Sequence, residues 1–472
     1  MGVCQIEQEP LYDDIPVGQD VVYTISNDST VANKTKVKFC AIVRISKSAI
    51  NTGTTAQVVG AFKTNPNNRG VGIFNFRNII ENYVSADNMA NKGASFKGAA
   101  TANAHTYPVH IIDKYSLNIN TFRNAQIRFF TEYLDDDPAS STYNTIIRET
   151  GSSRDGDDLK IWNGYVKHTD LINMFGKDFG YATNLFPPND TSRRYLTNAP
   201  TTQYANIEDY GTIAWTQPND PSQQDAHQLV ITYFADNVNL GSNTIVTNSA
   251  NGAGSTWSTY SENYMCFAGV FPANLNNWSA NFAAAVTSGL THYRVSMTDS
   301  TGGTGTMESL LIYINCPEIK GYEPIRLCWL NQWGAWDYFT FTKKSSKTYS
   351  TNPTTYTQLK GTWNKDFYRV SATGYQGGKK SFRVNTTEKI KIATDFVSED
   401  FNVMFEELIN SPEVYMLKGY NTLSSAFASY TDYVTPVTLT TKGFTRKTLA
   451  NDNMINYNFE IQKTQTLRTQ TI

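Results

Sequence analysis

The stretch Ile325–Lys344, IRLCWLNQWGAWDYFTFTKK, constrains this chain more than any other. It carries three tryptophans, one tyrosine and two phenylalanines, broken once by Gly334. At strand period, Ile325, Leu327, Trp329 and Asn331 share one face, while Arg326, Cys328 and Leu330 share the other. After the glycine, Trp336, Tyr338, Thr340 and Thr342 alternate against Asp337, Phe339, Phe341 and Lys343. A platform for a sugar or a base needs its rings on one exposed face. Strands that are apolar on both faces are instead buried on both, between two layers or at a subunit contact. We therefore read Trp329, Trp333, Trp336, Tyr338 and Phe339 as core with an interface edge. Gly334 is expected in the turn, where a Cβ is costly.

The rest of the chain repeats this grammar. VVYTISN, KVKFCAIVRIS, QIRFFTEY, LKIWNGYVKH, HQLVITYFA, HYRVSMTD and MESLLIYINC are short, β-branched or aromatic, and bounded by turn formers. Two segments read as helices. Phe76, Ile79, Ile80 and Tyr83 fall at i, i+3, i+4, i+7 with Asn75 placed to cap them. Phe401, Met404, Phe405 and Leu408 form one apolar face, with Ser398 as the expected N-cap and Ser411-Pro412 as the stop. The expected fold is mainly β and multi-domain, with β-sandwich-like domains, a few short helices and a C-terminal α+β domain. We place the domains at 1–140, 141–320 and 321–472, the first ending at the Asp135–Pro138 run and the last in an extended tail, QKTQTLRTQTI. Long Gly/Ser/Thr/Asn loops mark the middle domain, and Trp257 and Tyr260 in one of them are interface candidates.

Several function classes are excluded or lack support. A net charge of -2 with 17% charged residues argues against bulk electrostatic binding of nucleic acid and against a polybasic membrane anchor. No apolar run approaches eighteen residues, and MGVCQIEQEP has neither the basic start nor the apolar centre of a secretory leader, so we expect neither a membrane span nor export. Five scattered cysteines, none in C-x-x-C, fit a chain folded in a reducing cytosol. The five histidines lack metal-ligand spacing; His105 and His110 are five apart in a loop-like segment. Asp155, Asp157 and Asp158 echo a calcium loop, but Val166 stands where the bidentate glutamate belongs. The carboxylates to inspect for glycoside hydrolysis are Glu132, Asp135, Glu208, Asp209, Glu406 and Glu407, with Glu208–Asp209 near Trp215 the best placed. No catalytic residue, cofactor or metal is expected.

LNQWGAWDYFTF resembles a segment that recurs in structural proteins of tailed bacteriophages. NNRGVGIFNFRNIIENYV, RRYLTNAP, TDFVSEDFNVMFEELINSPEVYML and ANDNMINYNFEIQ resemble further pieces in the same order, so the likeness covers most of the chain. These are packing motifs and bring no catalytic residue. The resemblance implies a non-enzymatic virion component of the tail or neck, made in the host cytoplasm. Such a protein assembles as a homo-oligomeric ring and contacts adjacent virion proteins through loops and edge strands. The second reading is a receptor-binding or glycan-degrading tail protein, and the third a host β-sandwich enzyme unrelated to phage. A cleft holding two carboxylates beside exposed tryptophans would mark the enzyme.

Overall fold

The computed structural model describes residues 3–10, 14–47, 50, 56–90, 108–118, 120–166, 195–217, 228–246, 264–298, 309–315, 322–363, 368–369, 376–418, 434–448 and 455–468. The fold is mainly β, with several sheets and few short helices. The described residues fall into two compact units. The first takes in Met1–Cys316 and Leu330–Asp337, the second Pro317–Trp329, Tyr338–Lys418 and Thr431–Ile472.

In the first unit, a three-stranded sheet (Gln5–Gln8, Val22–Ser26, Val71–Asn75) faces a seven-stranded one built on the long strands Thr35–Ser46 and Phe122–Leu134. Their inner faces share one core, with Tyr23, Phe39, Phe76 and Phe129 all buried. The Tyr23 and Phe129 rings meet at 5.1 Å and 43°, the tilted contact that aromatic quadrupoles favour over a face-to-face sandwich. A short helix, Arg77–Ile80, closes this sandwich. The expected Asn75 cap is not made: Phe76 is the capping residue and offers no side-chain bond, while Asn75, one residue earlier, forms a turn in which its Oδ1 accepts from the Arg77 N–H at 3.1 Å. Residues on either side of position 140, assigned above to separate domains, share sheets here. Leu159–Trp162 pairs antiparallel with Phe122–Leu134, and Tyr115–Asn118 pairs with Tyr264–Gly269. A five-stranded sheet (Thr202–Ala205, Ser309–Ile314, His292–Thr298, Gln228–Ala235, Val238–Val246) completes the unit.

Two helices, Pro272–Trp278 and Ala280–Thr287, stand in a region read from sequence as strands and loops. Their signals are local. Proline opens the first turn of one, and Ser279 caps the other by accepting from the Phe282 N–H at 2.9 Å.

The second unit is built on a seven-stranded sheet that carries the helix Phe401–Asn410. The expected apolar face is buried, with Phe401, Met404, Phe405 and Leu408 each at 6% exposure or less. The expected cap is not made. The helix starts two residues later than the Ser398 cap requires. The Ser398 hydroxyl donates instead to Asp400 at 3.4 Å, and the preceding turn is closed by the Asn402 N–H donating to the Glu399 carbonyl at 2.9 Å. One edge of the sheet is the strand Ser346–Gln358, paired over its whole length with Gly378–Ala393.

Candidate functional site

The aromatic stretch of the opening is core. Trp329 is 0% exposed, and Trp333, Trp336 and Tyr338 are 7% exposed or less, so none offers area to a ligand or a partner. Phe339 is half-buried, its ring 5.0 Å from that of Phe405. The turn is built by Asn331, whose Oδ1 accepts from the Trp333 and Ala335 N–H groups at 3.0 and 3.1 Å. Gly334 has φ +75, and a Cβ there would lie 1.8 Å from the Asn163 carbonyl oxygen. Two indole N–H groups of the stretch find partners, Trp333 donating to Asn198 Oδ1 and Trp336 to the Asp87 carbonyl, each at 3.2 Å, whereas the buried indole N–H of Trp329 makes no hydrogen bond among the described residues. His110 is fully buried with its ring edge-on to Trp336 at 4.8 Å. His105, Trp257 and Tyr260 lie outside the described residues.

The carboxylates hold structure. Glu132 is 3% exposed and bridges Lys63 at 2.5 Å, with Arg148 at 3.6 Å. Burial alone would raise its pKa. The Lys63 hydrogen bond and charge, with Cys40 and Arg148 behind them, outweigh burial and hold it below the usual value. The neighbouring Cys40 thiol is pushed up to about 12 by burial and by the Glu132 charge, so it is an inert thiol. Asp135 is buried and accepts from Thr142 Oγ1 at 2.6 Å. Glu208 is exposed, but Asp209 is buried with its Oδ2 accepting from the Asn206 N–H at 2.8 Å, and Trp215 is 1% exposed. Glu406 accepts from Arg446 at 2.8 Å, while Glu407 is buried on the same helix. Asp155 grips the Arg128 guanidinium with both oxygens, at 2.5 and 2.7 Å, which occupies the atoms a calcium ion would need. Among the described residues, no group of His, Cys, Asp or Glu is placed to hold a metal ion.

A linked pH response follows for Glu132. Its depressed folded pKa contributes stability that is full above the unfolded value of about 4.3. That stability is lost as pH falls through the lower folded value. Glu132→Gln is therefore expected to lower the melting temperature at pH 7 and to flatten the loss of stability between about pH 5 and 3. Thermal melts of both proteins across that range check it. An unchanged acid limb would show that the Lys63 pair contributes nothing.

A cleft of 620 Å³ in the first unit is lined by Lys47, Arg123, Asn82, Asn120 and neighbours, with no carboxylate among the described residues. It cannot supply the acid and base of a glycosidase. Every tryptophan whose side chain is described is buried or half-buried.

The exposed surface of interest lies elsewhere, on the ribbon formed by Ser346–Gln358 and Gly378–Ala393. Every residue from Ser346 to Thr357 is exposed, as is every residue from Gly378 to Val384. The second strand is rooted, since its Ile390 and Ile392 are each 1% exposed. Register separates two faces. Lys347, Tyr349, Thr351 and Pro353 stand opposite Ile390, Glu388, Thr386 and Val384, making the more apolar face. Tyr349, Val384 and the bulged Phe382 are 56%, 41% and 47% exposed. Pro353 has no N–H to offer, which is tolerated on an edge strand. The tail, expected to order only on a neighbour, follows the strand Asn458–Lys463, and the Leu467 and Thr386 backbones exchange bonds at 3.1 and 2.9 Å. One strand of the ribbon is legible in the alternation of SFRVNTTEKIKIATD, but its partner KTYSTNPTTYT, rich in Thr and broken by proline, carries no such signal. The available signal was its match in length and polarity to GKKSFRVNTTEK. Neither a protein-family model nor a curated protein sequence matches the chain.

Proposed function

We propose that this chain is a non-enzymatic structural component of a tailed-bacteriophage virion, at the tail or neck, which assembles into an oligomeric ring and contacts adjacent virion proteins. The observation that carries the reading is the ribbon. A two-stranded ribbon is marginal in water by itself, and this one holds Tyr349 and Val384 in solvent along its more apolar face, with Phe382 exposed at the bulge. Those side chains gain from cover, and a neighbouring subunit supplies it by face-to-face packing. The likeness of the packing motifs to virion proteins supports the same reading. Among the described residues, five of the six candidate carboxylates are buried or held in hydrogen bonds and ion pairs, and the tryptophans are buried or half-buried, which fits the same reading.

Light scattering across a concentration series tests it. The expected result is a discrete species of several chain masses that Tyr349→Ser with Val384→Ser shifts toward monomer by at least tenfold in midpoint concentration. A wild-type monomer at every concentration would sink the ring reading.

A further inference from the structure

The opposite face of the same ribbon has a different chemistry. On the strand Gly378–Ala393, Lys391, Lys389 and Arg383 alternate onto one face. Beyond the bulge at Phe382, Lys380 rejoins that face, because it pairs with Tyr356 two places along from Thr354, the partner of Arg383. Between residues 346 and 356 the facing strand contributes only Ser, Thr, Asn and Tyr to this side. Arg468 extends the row, its Nε donating to Asn385 Oδ1 at 2.7 Å. Lys380, Arg383, Lys391 and Arg468 are all exposed, whereas Lys389 is held by Glu460 at 3.2 Å. The ribbon's described acid, Glu388, is buried on the other face and binds Lys463 at 2.7 Å. The row spans about 33 Å at strand rise.

Whole-chain charge conceals this feature. Residues 346–393 carry nine Lys and Arg against two Asp and Glu, a net of +7. The rest of the chain carries 31 against 40, a net of -9. The net charge of -2 therefore averages two regions of opposite sign.

We propose that this cationic face binds the sugar–phosphate backbone of a nucleic acid, without reading base sequence. The side chains present match those that meet phosphates: Lys and Arg for charge, with Ser, Thr, Asn and Tyr as hydrogen-bonding neighbours. A protein partner fits less well. Lysine is depleted in protein–protein interfaces, and this face offers no aliphatic anchor for a buried contact centre. The proposal is independent of the ring reading, which rests on the other face.

The test is fluorescence anisotropy of a labelled 30-base-pair duplex and of its single strand, titrated with full-length protein from 50 to 200 mM salt. With about four cations engaged, the logarithmic salt slope is expected near -3.6 for duplex and near -2.8 for single strand. The duplex affinity then falls roughly 150-fold across that range. Lys380→Glu with Arg383→Glu should cut the slope by about 1.8 or more and weaken every sequence alike. Lys380→Arg with Arg383→Lys, which keeps the charge, should restore binding, and melting curves should match wild type because both residues are exposed. No binding at 50 mM salt would overturn the proposal. So would binding that the charge reversal leaves intact. A third overturning result is self-association, rather than DNA binding, that disappears with salt and with the charge reversal, since the face would then meet an acidic protein surface.

Discussion

Gly334→Ala is expected to destabilise the first unit by about 3 kcal/mol or more, a size seen when a mutation forces a backbone clash or strain. Two penalties coincide at this position. The residue sits at φ +75, where an L side chain costs roughly 1–2 kcal/mol. Its Cβ would also stand 1.8 Å from the Asn163 carbonyl oxygen. That oxygen belongs to backbone held in place. The Asn163 N–H donates to the Thr121 carbonyl at 3.0 Å, and the Tyr165 N–H two residues on donates to the Gln332 carbonyl at 2.8 Å. Neither side can retreat without losing bonds in the turn that seats Trp333 and Trp336. Gly289 provides the control. It has φ +86, but a Cβ added there would meet nothing within 4 Å, so Gly289→Ala should show the conformational cost alone, about 1 kcal/mol. Thermal unfolding followed by tryptophan fluorescence compares the two. At roughly 2–4 °C per kcal/mol, Gly334→Ala should melt some 6–12 °C lower and Gly289→Ala some 2–4 °C lower. Equal shifts would show that the Asn163 contact yields freely.

The same turn shows how much of the molecule could be read from its sequence. Apolar residues on both faces of IRLCWL and WDYFTF marked strands without a solvent face, and burial of Trp329, Trp336 and Tyr338 follows from that pattern. The helix Phe401–Asn410 was legible in its buried face, because i, i+3, i+4 spacing encodes a face. Its first residue was not, because a serine can bond to a nearby aspartate as readily as to a backbone N–H. The helices at Pro272 and Ser279 were missed because they are short and their apolar stripe rests on a few residues, chiefly Leu275, Phe282 and Ala285. Long-range pairing was the least legible. Nothing local tells Leu159–Trp162 to join Phe122–Leu134, so a division placed at 140 had only composition behind it. The ribbon's edge strand escaped for a related reason. Its outer residues are exposed on both faces, so hydrophobic alternation, the main strand signal, is weak on the very surface where partner-binding chemistry is expected.

Phe405→Ala is expected to cost the second unit about 3–5 kcal/mol, the range for emptying an aromatic site in a packed core. Phe405 is 0% exposed, and its ring lies 5.0 Å from Phe339, 5.4 Å from Tyr457 and 5.6 Å from Phe459. These neighbours come from two strands of the sheet and from the approach to one of them, so the ring ties the helix Phe401–Asn410 to the sheet. A ten-residue helix is too short to persist alone, and the packing of this face is what keeps it formed. Deleting the ring therefore removes the transfer energy of the side chain and loosens the helix together. The ribbon contributes little to this core, since its outer residues are solvated, so the unit has few other contacts in reserve. Hydrogen exchange at residues 401–410 should accelerate by roughly 10² to 5 × 10³, the rate equivalent of that loss where exchange follows local opening. Phe405→Leu, which refills most of the volume, should give back most of the protection. Exchange unchanged in the alanine variant would mean that the aromatic cluster does not hold the helix. The strand that bears the cationic row ends in this core, through Ile390 and Ile392, so the variant carries a second expected consequence. Its nucleic-acid retention should fall at temperatures where the second unit opens, while the first unit still melts at its own midpoint.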